Sequence, residues 1–294
     1  NSQEIPLVGL GTFSIEGYDM VKASINDAVR IGYRHIDTAY CYDNEEDIGK
    51  AMQEIISTGP LKREDFFITT KFWNTQRDPL EGLKDSLKKL QMDYVDLYLI
   101  HFPVMFSLKG GKPYMNKDGH LQPEKLDLKY LWGRMEDIYK LGLAKSIGIS
   151  NFGPKRIQEL LSFCNIVPAV NQIEMHPYFQ QREIRKICEK NNIKIVAFSS
   201  FGGTRYLRYD SPVIKDDPII NSIALKYSVS SCNVILSWIV SKGACIIPKS
   251  TNYDHMKENF YTISLSEEEI QMIDNISINY RYNDPPTMSK DVYE

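Results

Sequence analysis

Short β-branched or aromatic runs alternate with helix-period segments along the whole chain, and this rhythm most constrains the fold. The runs are Val8–Gly11, Tyr33–Asp37, Phe66–Lys71, Val95–Ile100, Ala144–Ile149, Ala169–Gln172, Ile193–Phe198 and Cys245–Ile247. Helical spacing is expected over Met20–Ile31, Asp43–Ile56, Pro79–Leu90, Leu128–Leu141, Pro154–Phe163 and Arg182–Lys190. Ile219–Tyr227 and Val234–Val240 precede the last strand, and Asp254–Tyr261 and Glu267–Ile276 close the chain. Strands separated by helices pair in parallel, which leaves a closed (β/α)8 TIM barrel or an open doubly wound sheet. The 294 residues, 43% of them hydrophobic, suit one barrel domain spanning 1–294. No GxGxxG follows the first run, where a doubly wound dinucleotide fold carries its phosphate turn.

In parallel α/β folds chemistry gathers at the C-terminal strand ends. There stand Asp37, Lys71 and His101, with Tyr42 in the loop after the second strand and before a helix that Asp43 or Asn44 can cap. A phenol with a pKa near ~10 is a weak acid at neutral pH. A neighbouring ammonium is expected to lower that pKa, and a carboxylate to orient the ammonium, so that Tyr42 can pass a proton to a carbonyl oxygen. Taken alone, a strand-end Asp is more often an acceptor that orders its loop than a catalyst.

At these residues the chain closely resembles the aldo-keto reductase superfamily, whose tetrad is Asp, Tyr, Lys and His in this order. The family's motifs stand here as GLGT (9–12), GYRHIDTAYCYDNE (32–45), TTKFW (69–73), LIHFP (99–103), GISNF (148–152), NQIEMHPY (171–178) and IPKS (247–250). The resemblance implies catalytic Asp37, Tyr42, Lys71 and His101, and NADPH extended across the C-terminal face. Its nicotinamide would meet Ser150, Asn151 and Gln172, whose amides offer both donors and acceptors. Phe198 stands where most members stack a Tyr, and an aromatic face is kept. Ser199, Ser200, Phe201 and Gly202 match the pyrophosphate loop. Lys249, Ser250, Thr251, Asn252, Glu258 and Asn259 match the adenosine-phosphate and adenine contacts, and Gly11, Thr12 and Asp37 complete the set. His255 replaces the family's usual Arg over the adenine and 2′-phosphate. A neutral imidazole neither forks to phosphate nor carries charge, so the margin of NADPH over NADH is expected to narrow.

For the substrate, the resemblance implies Tyr42 and His101 at the carbonyl oxygen, with Phe13, Trp73 and Phe102 as apolar walls. Phe102 stands where aldose-reducing members carry Trp, which favours apolar aldehydes and ketones over sugars. His at position 101, where double-bond reducers carry Glu, favours carbonyl reduction. The segment Phe102–Leu126, the loop Gly203–Pro218 and the tail after Ser277 are expected to set specificity. The tail, with Tyr280, Tyr282, Pro285 and Pro286, is expected to lie across the barrel mouth.

Two other readings use the same residues. One is a non-catalytic barrel protein, structural or channel-associated. The other is a metal or Schiff-base enzyme built on His35, Asp37, Lys71 and His101, although no HxH pair or clustered acids suggest a metal ligand set. His35 is expected in a barrel-core layer, His176 in a structural loop, and Trp132 and Trp238 in helix packing. A net charge of −3 argues against nucleic acid or an anionic membrane as partner. Cysteines 41, 164, 188, 232 and 245 are odd in number and scattered, which suits a reducing compartment. No apolar run reaches membrane-spanning length and no signal-peptide pattern opens the chain, so a cytoplasmic, monomeric enzyme without a metal is expected.

Overall fold

The computed structural model describes residues 4–203, 210–285, 287 and 288. Eight parallel strands form one sheet: β1 Leu10–Gly11, β2 His35–Asp37, β3 Phe67–Phe72, β4 Val95–Ile100, β5 Ala144–Ser150, β6 Val170–Glu174, β7 Lys194–Phe198 and β8 Cys245–Ile246. Their order in the sheet is their order in the chain. The edges meet: Val8 bridges Ile246 in parallel, Gly9 N–H donates to the Ile246 carbonyl at 2.8 Å, and Ile246 N–H donates to that of Leu7 at 2.9 Å. That closure excludes the open doubly wound sheet.

Helices α1 Tyr18–Ile31, α2 Glu45–Thr58, α3 Pro79–Leu90, α4 Leu128–Lys140, α5 Pro154–Leu161 and α6 Arg182–Lys190 connect the strands; α7 Pro218–Tyr227 and α8 Ser231–Ser241 lead into β8. The chain closes with α9 Tyr253–Phe260 and α10 Glu267–Asp274. Pro79 in the first turn and the Asp78 carboxylate accepting from Leu80 and Glu81 N–H start α3 where the sequence places it. The start of α2 is different. Asn44 precedes it but caps nothing, because its side chain donates to the carbonyls of Thr12 and Ile15 and accepts from the Thr38 hydroxyl.

Side chains alternate between lumen and helices with the strand period of two. On β4, Leu97 and Leu99 enter the lumen cluster with Phe67, Val170, Val196, Cys245 and Ile247, while Tyr98 and Ile100 join the larger core under the helices. Each buried aliphatic side chain contributes about 1.5–3 kcal/mol. Trp132 and Trp238 are buried in that outer core, as expected. His35 occupies the lumen, with Nε2 3.0 Å from Thr69 Oγ1. A Cβ on Gly9 would lie 2.6 Å from its ring, so only glycine leaves room there.

Segment 102–126 is not a plain loop. Met105–Phe106 pairs antiparallel with Pro123–Glu124, and Leu108–Lys109 with Lys112–Pro113. The tail crosses the mouth of the barrel. Tyr282 packs against Gly202 at the end of β7, and the Thr287 carbonyl accepts from Leu121 N–H above β4. Residues 204–209 of the expected specificity loop, Pro286 and residues 289–294 lie outside the described residues.

Candidate active site

The period of two that builds the lumen also builds the site. Asp37, Lys71, Ser150, Gln172 and Phe198 occupy lumen-facing positions at the C-terminal ends of five strands. Lys71, fully buried, places Nζ 2.6 Å from Asp37 Oδ1, 2.7 Å from the Thr38 carbonyl and 3.4 Å from the Tyr42 hydroxyl. Gln172 Nε2 donates to Asp37 Oδ2 at 2.6 Å, so both carboxylate oxygens are satisfied. Tyr42 is half-buried in the turn Tyr40–Tyr42, its ring 5.8 Å from that of His101. The four residues expected to act together do meet.

Aromatic side chains wall this cleft. Phe13 lies 5.0 Å from the Tyr42 ring, Trp73 meets His101 edge-on at 5.3 Å, and Phe102 stacks on His101 at 5.1 Å. Burial first, and then the Lys71 charge, hold His101 well below the usual histidine range, so its imidazole is neutral at neutral pH. The Tyr42 phenol departs from the sequence expectation. Burial, then Asp37 and Cys41, push it well above its usual range. The expected lowering by Lys71 is outweighed because the ammonium gives its short bonds to Asp37 and Thr38, and Asp37 balances its charge.

The expected cofactor residues line one side of the mouth. Ser150 Oγ donates to the Gln172 carbonyl, and Asn151, at φ 63°, donates from Nδ2 to the His101 carbonyl. Phe198 is half-exposed at the end of β7. Beyond it Ser199 and Gly202 both adopt positive φ, joined by Gly202 N–H to the Ser199 carbonyl at 2.8 Å, with Phe201 packed against the core. Ser200 Oγ is buried with no hydrogen-bond partner among the described residues. A buried hydroxyl without a partner in a positive-φ turn fits a phosphate oxygen acceptor.

Lys249, Thr251 and His255 are exposed and Ser250 is buried where α9 begins, with Asn252 Oδ1 capping its backbone at His255 N–H. Glu258 accepts from Ser230 N–H, and Asn259 is buried. Gly11 and Thr12 are buried, the Thr12 hydroxyl donating to the Asp37 carbonyl. A separate cavity of about 600 Å³, lined by Tyr178–Ile184 and Asp274–Asn279, contains none of the tetrad.

The match to the Aldo/keto reductase family model covers residues 7–278. The chain belongs to the aldo/keto reductase family. It is 42% identical over 287 residues to an aldose reductase of Encephalitozoon cuniculi (strain GB-M1), covering 97% of this chain and 94% of that one. It is 38% identical over 300 residues to the NADP-dependent D-sorbitol-6-phosphate dehydrogenase of Malus domestica, covering 99% and 96%. The solved aldose reductase of Giardia lamblia superimposes with a TM-score of 0.88 at 34% identity, covering 95% of each chain.

Three contributors escaped sequence reasoning. The Thr38 carbonyl receives Lys71, which no residue type announces. Cys41 Sγ approaches His101 Nδ1 to 3.6 Å. Glu174, two residues beyond Gln172 and so on the same strand face, accepts from Tyr282 and Asn283 N–H and lies 2.9 Å from His176 Nε2. That period-two relation to Gln172 was the available signal. His176 is buried there, in the structural role expected.

Proposed function

We propose that this aldo/keto reductase reduces aldehydes or ketones to alcohols, with Tyr42 giving the proton to the carbonyl oxygen and His101 orienting that oxygen by a neutral N–H. NADPH supplies the hydride when bound. Lys71 steadies the phenolate as it forms, and Asp37 with Thr38 holds Lys71. Ser150, Asn151, Gln172 and Phe198 would hold the nicotinamide, Ser199, Ser200, Phe201 and Gly202 the pyrophosphate, and Lys249, Ser250, Thr251, Asn252 and His255 the adenosine phosphate. One observation carries this reading: a fully buried ammonium that spans Asp37 and the Tyr42 hydroxyl at the barrel mouth. The same contacts speak against a Schiff-base role, since Nζ is held by a carboxylate and a carbonyl rather than open to a substrate carbon.

The walls formed by Phe13, Trp73 and Phe102 support apolar substrates. The NADP dependence in the name of the Malus domestica relative supports NADPH. Five unpaired cysteines support a reducing, cytoplasmic setting. Among the described residues no single helix is long and apolar enough to cross a membrane. The test is NADPH oxidation screened against aldoses, aromatic aldehydes, quinones and steroid-like ketones. The expected result is turnover that is highest with apolar carbonyls. Absence of turnover with every class, by protein that binds NADPH, would defeat the proposal.

A further inference from the structure

One contact in the cleft has no part in this scheme. Cys41 Sγ lies 3.6 Å from His101 Nδ1, an ordinary separation for a hydrogen bond involving sulfur. The two residues come from different strand-end loops, and the turn Tyr40–Tyr42 sets their meeting. Such a turn advances about 120° per residue, so neighbouring side chains leave it in different directions. Tyr42 reaches Lys71, and Cys41 reaches His101. The turn itself is fixed on both sides. Tyr42 N–H donates to the Ala39 carbonyl at 3.0 Å, and Asp43 at φ 55° ends the turn. The next residue, Asn44, donates from Nδ2 to the carbonyls of Thr12 and Ile15.

A neutral imidazole carries one N–H and one bare lone pair, and which nitrogen holds the proton is set by the partner of the other. We infer that Cys41 is a positioning residue whose S–H donates to His101 Nδ1 and so keeps the ring's only N–H on Nε2, the edge that meets a carbonyl oxygen. The inference rests on the carbonyl-reduction reading of this cleft. The direction of the bond follows from the chemistry of the pair. Burial pushes the Cys41 thiol up to about 12, so it keeps its proton. His101 is held neutral by burial and by Lys71. Imidazole nitrogen is a good acceptor and thiol sulfur a weak one, so S–H to nitrogen is the better of the two arrangements. In the reverse arrangement the Nε2 lone pair would face the substrate oxygen and repel it. A neutral histidine without this partner divides itself between the two forms.

The experiment is nitrogen-15 NMR of the histidine rings, whose couplings distinguish a protonated from a bare nitrogen. Only five histidines contribute, and His101→Asn identifies the ring in question by removing its signals. The unmodified protein should show Nε2–H with bare Nδ1. Cys41→Ser, which keeps a donor, should preserve that form and most of the turnover. Cys41→Ala should give a mixture of tautomers and lower kcat about three- to tenfold, the range expected for one weak hydrogen bond. Affinity for NADPH should stay constant in both variants. A protonated Nδ1 in the unmodified protein would overturn the inference, as would Cys41→Ala with unaltered tautomer and turnover. If the unmodified protein shows the Nε2–H form yet reduces no carbonyl, the hydrogen bond is upheld and the reaction assigned to the cleft fails separately.

Discussion

Replacing Lys71 by Met tests the centre of the site, and the structure sets two magnitudes. Lys71 and Asp37 have side-chain exposures of 0% and 2% at 2.6 Å separation, so removing the ammonium strands a buried carboxylate that keeps the Gln172 side-chain donor. Breaking a buried pair in this way costs about 3–5 kcal/mol. For a domain of this length that corresponds to a fall in Tm of about 5–8 °C. Turnover should fall by about 10²–10⁴, the range for loss of assisted proton transfer. Low activity alone would not separate chemistry from damage to the fold, so the variant is paired with Lys71→Met plus Asp37→Asn. An amide at position 37 still accepts from Gln172 and leaves no stranded charge. The double variant should recover most of the lost Tm and none of the lost turnover. Differential scanning calorimetry and NADPH oxidation on the same samples supply both readouts. Two results would refute the reasoning: Lys71→Met as stable as the unmodified protein, or a double variant that regains activity along with stability.

Tyr42→Phe removes only the hydroxyl, and turnover should fall by ~10²–10⁴ with NADPH affinity nearly unchanged; retention of half the turnover would sink the assignment. Because burial holds the phenol well above its usual range, carbonyl reduction by the unmodified protein should be insensitive to phenol ionisation between pH 6 and 9, and a decline there traced to Tyr42 would favour a lowered pKa instead. His255→Arg, on the exposed first turn of α9, should tighten NADPH several-fold and leave NADH unchanged, by fluorescence titration of both cofactors. Equal effects on the two would mean that His255 does not face the 2′-phosphate. Glu269, buried at the start of α10, is held down to about 2 against its burial cost by the Lys226 ammonium, Ser266 N–H and the Tyr227 hydroxyl. Its folded-state pKa is depressed, so its stabilisation is present above about pH 4.5 and lost as pH falls toward 2. Glu269→Gln should therefore cost about 2 kcal/mol in urea unfolding at pH 7, with the gap closing in acid; a gap constant with pH would contradict the assignment.

The strand–helix alternation and the residues at strand ends were legible because period and parity display them directly, whereas closure was not, since the same alternation suits an open doubly wound sheet until Val8 is seen to bridge Ile246. Pro79–Leu90 and Arg182–Lys190 match residue for residue, the first because Pro79 starts it. Asn44 shows the limit of local reasoning. Its type and position suit a helix cap, yet three partners elsewhere take its side chain. The small ladders around Met105 and Leu108 were also hidden, because two-residue pairings leave no periodic trace. The acidity of Tyr42 was misjudged for a related reason. Proximity of Lys71 can be read from motifs, but desolvation and the division of one ammonium among several acceptors exist only once the chain is closed.

That division has a consequence for the chemistry. A proton donor must hold its proton at rest and release it at the moment charge develops on the substrate. Desolvation supplies the first requirement, because a phenolate in this cleft would be poorly solvated. The ammonium at 3.4 Å supplies the second, since a unit charge at about this distance is worth roughly 4 kcal/mol to a new anion at a protein-surface dielectric. Were Lys71 unbalanced, that field would act on the resting phenol as well and draw its proton off early. Asp37 prevents this by offsetting part of that field, both at rest and as the phenolate forms, and with Thr38 it fixes where Nζ sits. Gln172, bonded to the second oxygen of Asp37, extends the same constraint from β2 to β6, the strand that also carries the expected nicotinamide contact. In the proposed reaction the Asp37 carboxylate, bonded to Lys71 and raising the Tyr42 phenol, is therefore part of the acid's tuning, and stabilising the ion pair is only half of what it does.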